Sequence, residues 1–317
     1  MELNPNNITL QINISPGDVK YASLSVPEIV SKHPSIKERL LIVDCCRPQK
    51  TKLVDPDKRF PKDIFDKNVE TIKDIAKMLL VANIVSRVYY LFKDDEIIDV
   101  LAQKYLGGAY HTTHSSGGTA NMSYWAGIEL AKTQYVLHYD GDILLYQKEG
   151  YDWALIAADL LYKNENAIIA VPRLCPPVPN LDAPSLNEGR PFSSDKDYWV
   201  NDWFSTRHFL IDKHKLQRFL PLPTFKIRLE LLLRWVTRRA FPIDPEILMF
   251  RSIGRRGGKR LILKSQNVWI THPVIKNEAF VEHLPKIIGL VNQNQYPKGQ
   301  IGKEDMVLED WLNFISS

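Results

Sequence analysis

The feature that most constrains the fold is the alternation of strand-like and helix-like segments in the first half of the chain. Short apolar runs at 39–44, 87–92 and 135–140 are predicted to be strands, because they are rich in Leu, Ile, Val and Tyr. Between them, residues 66–83 place apolar side chains at helical spacing. Such alternation is typical of an α/β protein with a mainly parallel, doubly wound sheet. The 317 residues suffice for one large domain of this class or for two small ones.

Acidic residues follow two of these predicted strands. Asp44 ends the run RLLIVD, and Asp140 ends YVLHYD, with Asp142 two positions later. In open α/β sheets, ligands bind at the carboxyl ends of the strands. Unpaired carboxylates beside buried strands are costly, so a cation, or a substrate that brings one, would explain Asp140 and Asp142. The alternative is a turn in which these aspartates bond to their own backbone.

The side chains of Asp140 and Asp142 suit a hard divalent cation. Mg²⁺ and Mn²⁺ prefer carboxylate, carbonyl and water oxygens as ligands. Residues i and i+2 of an extended chain point to the same side, so the two carboxylates could share one ion. His138, inside the predicted strand 135–140, is interpreted as a packed, hydrogen-bonded histidine on the face opposite the neighbours of Asp140.

Composition narrows the class of protein. The segment MELNPNNITL lacks a basic region followed by an apolar core, and no apolar run approaches the ~20 residues of a membrane span. Three cysteines, of which Cys45 and Cys46 are adjacent, suit a reducing compartment and provide no disulfide framework. We therefore expect a cytoplasmic protein without a transmembrane segment.

The second half is less regular and more basic. Residues 172–198 contain six prolines, which predicts either a binding loop or lid, or a surface excursion without a role. Eleven Lys or Arg residues lie between Lys226 and Lys264, against three acidic residues. No zinc-finger spacing or aromatic RNA-binding signature accompanies them, so nucleic acid is not an expected partner. Residues 225–241 predict a helix whose apolar face packs into the core, with peripheral membrane contact as the alternative. This face consists of Phe225, Leu229, Leu232, Leu233, Val236 and Ala240.

The segment GGTANMSYWAGIELAKTQYVLHYDGDILL at 117–145 resembles a motif of a known enzyme family. It resembles the central motif of GT-A glycosyltransferases, particularly those of family 2, in which a glycine-rich turn and a helix lead into a strand and an Asp-x-Asp motif. The resemblance implies a GT-A (Rossmann-like) α/β fold over 1–317 as a single domain. Residues 1–145 would then form the nucleotide-sugar-binding half. Residues 146–317 would form the acceptor-binding half with a C-terminal helical extension.

The same resemblance implies a metal-dependent transfer of a sugar from a nucleotide-diphosphate sugar, UDP-sugar favoured, to an acceptor hydroxyl on a saccharide, lipid or protein. Asp140 would contact the ribose and the Mn²⁺ or Mg²⁺, and Asp142 would be the firmer metal ligand. Asp44 would contact a uracil or ribose, or would serve as a cap at the end of its strand. Gly118 of the glycine-rich turn would also bind the nucleotide sugar. His272, in WITHP, would be a third metal ligand or a hydrogen-bonded turn residue.

An inverting transfer also needs a carboxylate that takes the proton of the acceptor hydroxyl. Asp244 and Glu246 occupy the region where family 2 places this base, and Pro245 between them fits the first turn of a helix. Glu246 is the first choice and Asp244 the second. Asp202 in WVNDW is the next candidate.

Departures from the family pattern leave two other interpretations open. The Ala-Arg-Asn that usually precedes Gly-Ile reads Ser123, Tyr124 and Trp125, and the usual Glu-Asp pair is replaced by Asp-Pro-Glu. A non-catalytic nucleotide-sugar-binding relative is therefore one alternative. A haloacid-dehalogenase-type phosphatase is the other, although its Asp-x-Asp continues with Gly-Thr or Gly-Val, whereas Ile143 and Leu144 follow here.

Overall fold

The computed structural model describes residues 4–178, 193–237 and 242–317, and the strands in these ranges form two sheets. They are β1 (Ile8–Ile14), β2 (Glu38–Asp44), β3 (Arg87–Leu91), β4 (Tyr135–Asp140), β5 (Leu144–Gln147), β6 (Ala167–Val171), β7 (Ser193–Ser194), β8 (Tyr198–Asn201), β9 (His208–Asp212), β10 (Lys259–Leu263), β11 (Val268–Pro273) and β12 (Asp305–Met306).

The helices in the same ranges lie mainly between these strands along the chain. They are α1 (Ala22–Ser31), α2 (Pro56–Arg59), α3 (Lys62–Val81), α4 (Ile97–Leu106), α5 (Met122–Leu130), α6 (Trp153–Lys163), α7 (Lys213–Gln217), α8 (Phe225–Val236), α9 (Pro245–Ser252), α10 (Glu278–Asn292) and α11 (Leu308–Ser316). No helix in the described ranges is both long enough and apolar enough to cross a bilayer.

The larger sheet confirms the predicted α/β class with a mainly parallel sheet. Its order is β3-β2-β1-β4-β9-β6-β10-β8-β7, and only β9 and β8 run against the direction of the other strands. Helices α1 and α3 pack against each other and the first strands, while α4 packs on α5, which covers β1 and β2. Every residue of β1 is buried, as expected for a strand covered on both faces.

Strand register brings three carboxyl ends to one edge of this sheet. Asn13 of β1 pairs with Asp140 of β4, and Ile14 pairs with Val43, next to Asp44 at the end of β2. The acidic residues that follow the strands are therefore neighbours in space, because parallel strands in register end together.

The smaller sheet follows directly from the Asp-Gly-Asp turn. Its order is β12-β11-β5, and β5 begins two residues after Asp142. A second, smaller hydrophobic cluster supports this sheet and includes Trp269 of β11, Phe280 of α10 and Trp311 of α11. Neither the pairing of β11 with β5 nor this second cluster was predicted from the sequence.

Helix α8 shows that the predicted packing of its apolar face was wrong. Phe225, Leu229 and Val236, which were expected in the core, are 81%, 50% and 65% exposed. Ile227 and Leu231, on the opposite side of the helix, are buried instead. The helix carries apolar residues on two sides, so its sequence alone does not decide which side packs against the core. Ala240 of the predicted face lies outside the described residues. Residues 179–192 of the proline-rich stretch also lie outside the described residues.

Candidate functional site

Asp44 lies at the end of β2, and it lines two adjoining cavities. Its side chain is buried; Oδ1 accepts a hydrogen bond from the backbone N–H of Cys46 at 3.0 Å. Its Oδ2 has no hydrogen-bond partner among the described residues. A buried acceptor without a partner is costly, so Oδ2 is suited to accept a hydrogen bond from a ligand.

The first cavity, of about 290 Å³, lies beyond Asp44 and has a largely apolar lining. It includes the predicted Gly118, whose φ of +82° is readily adopted by glycine, and a Cβ there would come within 3.1 Å of Val54. The polar groups around it suit a ligand that is partly aromatic and partly polar. The other lining residues include Ser15, Pro48, Arg59, Phe60, Pro61, Ile64, Phe65, Asn68 and His114.

The second cavity, of about 180 Å³, shares Ser15, Asp44 and Ala120 with the first and carries the charged groups. Asp140 and Asp142 lie at its wall, together with Asp18 and Lys276. Burial, reinforced by the charge of Asp142, raises the pKa of Asp18 to about 6. The cavity thus concentrates carboxylates, and a cation there is electrostatically favoured.

Asp140 is held by an aromatic hydroxyl and lies beside a histidine. Tyr124 Oη lies 3.2 Å from each carboxylate oxygen of Asp140 and donates its hydrogen bond to them. His138 is fully buried and bonds Gln11, as predicted for a packed histidine. Its Nε2 lies 3.4 Å from Asp140 Oδ1. Alternate residues of a strand share a face, and these two are alternate.

Asp142 is surrounded by positive charge from the smaller sheet. Its Oδ2 accepts a hydrogen bond from Lys276 Nζ and lies 3.5 Å from His272 Nε2. Burial opposes its ionisation, yet the hydrogen bond and charge of His272, followed by Lys276, hold the pKa of Asp142 well below its usual range. Burial also opposes protonation of His272, but Asp142 and Asp305 outweigh it and raise the pKa of His272.

The predicted metal ligands are therefore only partly brought together. Asp142 and His272 are neighbours, whereas no group of three or more His, Cys, Asp or Glu side chains in the described ranges is arranged around one metal position. Lys276 provides a positive charge at Asp142 instead. The donor types still fit Mn²⁺ or Mg²⁺: Asp142 Oδ1 is buried without a hydrogen-bond partner among the described residues, and carboxylates with imidazole suit Mn²⁺.

Gly141 separates the two aspartates where two backbones approach closely. Its N–H donates a hydrogen bond to the Asn13 carbonyl at 2.8 Å. A Cβ at this position would lie 2.7 Å from Ile14 Cγ2 and 3.0 Å from the Asn13 oxygen. Glycine is thus required here by space, and the turn fixes the positions of Asp140 and Asp142 relative to β1.

Gly141→Ala is expected to lower the free energy of unfolding by about 1–3 kcal/mol, because the added methyl group overpacks the contact with β1. Urea denaturation measures this change. Gly289→Ala is the matched control, since nothing lies within 4 Å of a Cβ at this position in α10. Equal stability of the two variants would contradict the close approach at Gly141.

Asp244 and Glu246 have structural partners at the start of α9. Asp244 caps this helix, and its Oδ1 accepts a hydrogen bond from the Glu246 N–H at 3.1 Å. Glu246 Oε1 accepts hydrogen bonds from the Thr206 N–H at 2.9 Å and from Ser205 Oγ at 3.1 Å. Burial raises the pKa of Glu246. Asp202 lies elsewhere, with its backbone oxygen against Gly254 beyond the other end of α9.

A short chain of contacts joins Glu246 to the Asp-x-Asp turn. Thr206 Oγ1 donates to Glu246 Oε1 at 3.3 Å, and the Thr206 side chain also hydrogen-bonds Tyr124. Tyr124 in turn bonds Asp140. Of the two predicted bases, Glu246 is therefore the one linked to the cavity, whereas the known contact of Asp244 is a helix cap.

Sequence reasoning missed Lys276, Tyr124, Thr206 and Asp18. Lys276 lies four residues after His272, and Asp18 lies in the turn after β1. The sequence signal that could have identified Lys276 and Asp18 as site residues was their position next to strand ends. Lys276 is separated from Asp142 by 134 positions, so only the fold shows that they meet.

Comparisons with known proteins add little to this picture. No protein-family model and no curated protein matches the chain. An active-site mutant of LgtC is 12% identical over 80% of this chain and 72% of its own, with a TM-score of 0.36. The galactosyltransferase LgtC, in complex with donor and acceptor sugar analogues, is 10% identical over 92% of this chain and 98% of its own, with a TM-score of 0.34. A likeness at this level supports no argument, and the function is inferred from the site itself.

Proposed function

We propose that this chain is a metal-dependent glycosyltransferase that moves a sugar from a nucleotide-diphosphate sugar to an acceptor hydroxyl. The observation that carries the proposal is the pair of adjoining cavities at the carboxyl ends of the strands. One has a largely apolar lining and an open acceptor atom, and the other contains carboxylates and an ammonium group. A nucleoside diphosphate is built in the same order, because its base and ribose are followed by charged phosphates.

The first cavity suits the nucleoside. Asp44 Oδ2 has no hydrogen-bond partner in the described part of the chain and can accept one from the imide N–H of uracil or from a ribose hydroxyl. Phe60 and the neighbouring prolines provide apolar surface for the base. A UDP-sugar is therefore the favoured donor.

The second cavity suits the diphosphate. Asp140, Asp142 and His272 would hold Mn²⁺ or Mg²⁺, which when bound stabilises negative charge on the leaving diphosphate. Lys276 carries a second positive charge beside them. Its ammonium group pairs with Asp142 in this structure and can also contact a phosphate oxygen. Tyr124 orients Asp140 through its hydrogen bond.

Glu246 is the proposed base of an inverting transfer. Its Oε1 is held by Thr206 and Ser205, which fixes the carboxylate near the cavity. Burial raises its pKa, which makes the carboxylate a stronger base than an exposed glutamate. The acceptor hydroxyl would lose its proton to this group as it attacks the donor sugar.

Isothermal titration calorimetry of the full chain with UDP tests the proposal. We expect UDP affinity to fall at least about tenfold when a chelator removes Mn²⁺, because the two carboxylates otherwise repel the diphosphate. Asp44→Asn should weaken UDP binding with and without metal. Asp99→Asn, on the outer side of α4, is the control and should bind as the wild type does.

Three outcomes would contradict parts of the proposal. Equal UDP affinity with and without Mn²⁺ would remove the metal dependence. Tight binding of UDP-sugars with neither transfer nor hydrolysis would indicate the non-catalytic alternative. Phosphate release from a phosphomonoester, without UDP binding, would indicate a phosphatase.

A further inference from the structure

Helix α8 presents a continuous apolar stripe to solvent. The side chains of Phe225, Leu229, Leu232, Leu233 and Val236 are all at least half exposed. At about 100° per residue, these positions span roughly a third of the helix circumference. They lie opposite Ile227 and Leu231, which attach the helix to the protein. Unpartnered apolar surface of this extent marks an interaction site.

Cationic side chains flank this stripe on both sides. By the same helical geometry, Lys226 and Arg228 lie about 80° to either side of its centre, and both are exposed. Trp235, 63% exposed, lies on the same side of the helix as Arg228, about two turns further along. The only acidic residue of α8 is Glu230, and its two oxygens pair with Arg234 and with Arg251 of α9. The exposed face therefore combines apolar and positive groups without a negative one.

We propose that α8 is an in-plane anchor that docks this protein on an anionic lipid bilayer. The stripe would enter the boundary between head groups and acyl chains, Trp235 would lie at that boundary, and Lys226 and Arg228 would contact anionic head groups. With 12 residues, the helix is only about 18 Å long and can lie on a bilayer but cannot cross it. The inference is independent of the proposed function.

Charge decides between a bilayer and the other candidate partners. A second copy of this chain would bring the same cations face to face, and α8 offers no unpaired carboxylate to compensate them. A nucleic acid would match the cations but would leave the apolar stripe in contact with phosphates and water. An anionic bilayer matches both the stripe and its flanks at once.

Co-sedimentation of the full-length protein with vesicles tests the proposal. We expect binding to vesicles of phosphatidylcholine with phosphatidylglycerol, weaker binding to phosphatidylcholine alone, and a loss of the difference at ~1 M salt, where the Debye length is about 3 Å. The triple variant Phe225→Gln, Leu229→Gln and Leu233→Gln should lower the vesicle partition coefficient at least about 30-fold. Glutamine favours helix, so circular dichroism should be unchanged.

A matched triple variant on another helix provides the control. Met78→Gln, Leu80→Gln and Val81→Gln change three exposed apolar residues near the end of α3. This variant should partition within about twofold of the wild type, because the effect belongs to one face and not to surface hydrophobicity in general. Equal partitioning of the two triple variants, or no binding of the wild type to anionic vesicles, would overturn the proposal. So would a wild-type dimer, seen by light scattering, that the α8 variant dissociates.

Discussion

Asp142→Asn is expected to abolish sugar transfer, with a loss of at least about 10³-fold in kcat, while the chain keeps its fold. The carboxylate of Asp142 is buried and faces Lys276 and His272 from the smaller sheet. A neutral amide is a weak ligand for a hard cation. The asparagine oxygen can still accept a hydrogen bond from Lys276, so the local structure is retained. Transfer of radiolabelled sugar to acceptor or water measures the change.

Two further measurements separate a loss of chemistry from a loss of structure. Circular dichroism and the thermal midpoint of Asp142→Asn should stay close to those of the wild type. Asp74→Asn removes an exposed carboxylate of α3, paired with Lys77, and should leave transfer unchanged. Near-normal turnover of Asp142→Asn would show that the leaving group is stabilised elsewhere.

Glu246→Gln is expected to keep UDP affinity but to lower kcat about 10²–10⁴-fold, the usual effect of removing a general base. Glutamine retains an oxygen that can accept the hydrogen bonds of Ser205 and Thr206. The substitution therefore removes the proton acceptor and leaves the carboxylate's neighbours in place. Steady-state kinetics at saturating donor, together with calorimetry, separate the two effects.

Asp244→Asn is the matched control for this acidic pair. Asparagine caps a helix about as well as aspartate, so α9 should remain intact and transfer should fall much less than in Glu246→Gln. Normal turnover in both variants would move the base elsewhere, and Asp202 would be tested next. A product that retains the anomeric configuration of the donor would show that no such base is needed.

Local patterns were enough to predict the framework of the fold. The alternation of strands and helices indicated a mainly parallel sheet, and β1, β2, β3 and β4 are present with that arrangement. The position of Asp44 and Asp140 at strand ends also followed from the sequence. These features depend on residues close together in the chain, where periodicity and strand ends are visible.

Features that depend on distant contacts could not be predicted. Lys276 meets Asp142 only because β11 pairs with β5, which no local pattern encodes. The orientation of α8 likewise depends on competition between two apolar sides. Ile227 and Leu231 were available for burial on one side, and five apolar residues were available on the other. The pairing of Glu230 with Arg251 of α9 attaches the first side to the protein.

The Asp-Gly-Asp turn also joins the larger sheet covalently to the smaller one, which has a hydrophobic cluster of its own. Asp140 belongs to β4 of the larger sheet, while His272 and Lys276 come from β11 and the loop that follows it, which depend on the smaller cluster around Trp269 and Trp311. Partial opening of the smaller cluster would separate these charges without melting the larger sheet. In mild denaturant, the protein would therefore lose activity before the larger sheet unfolds.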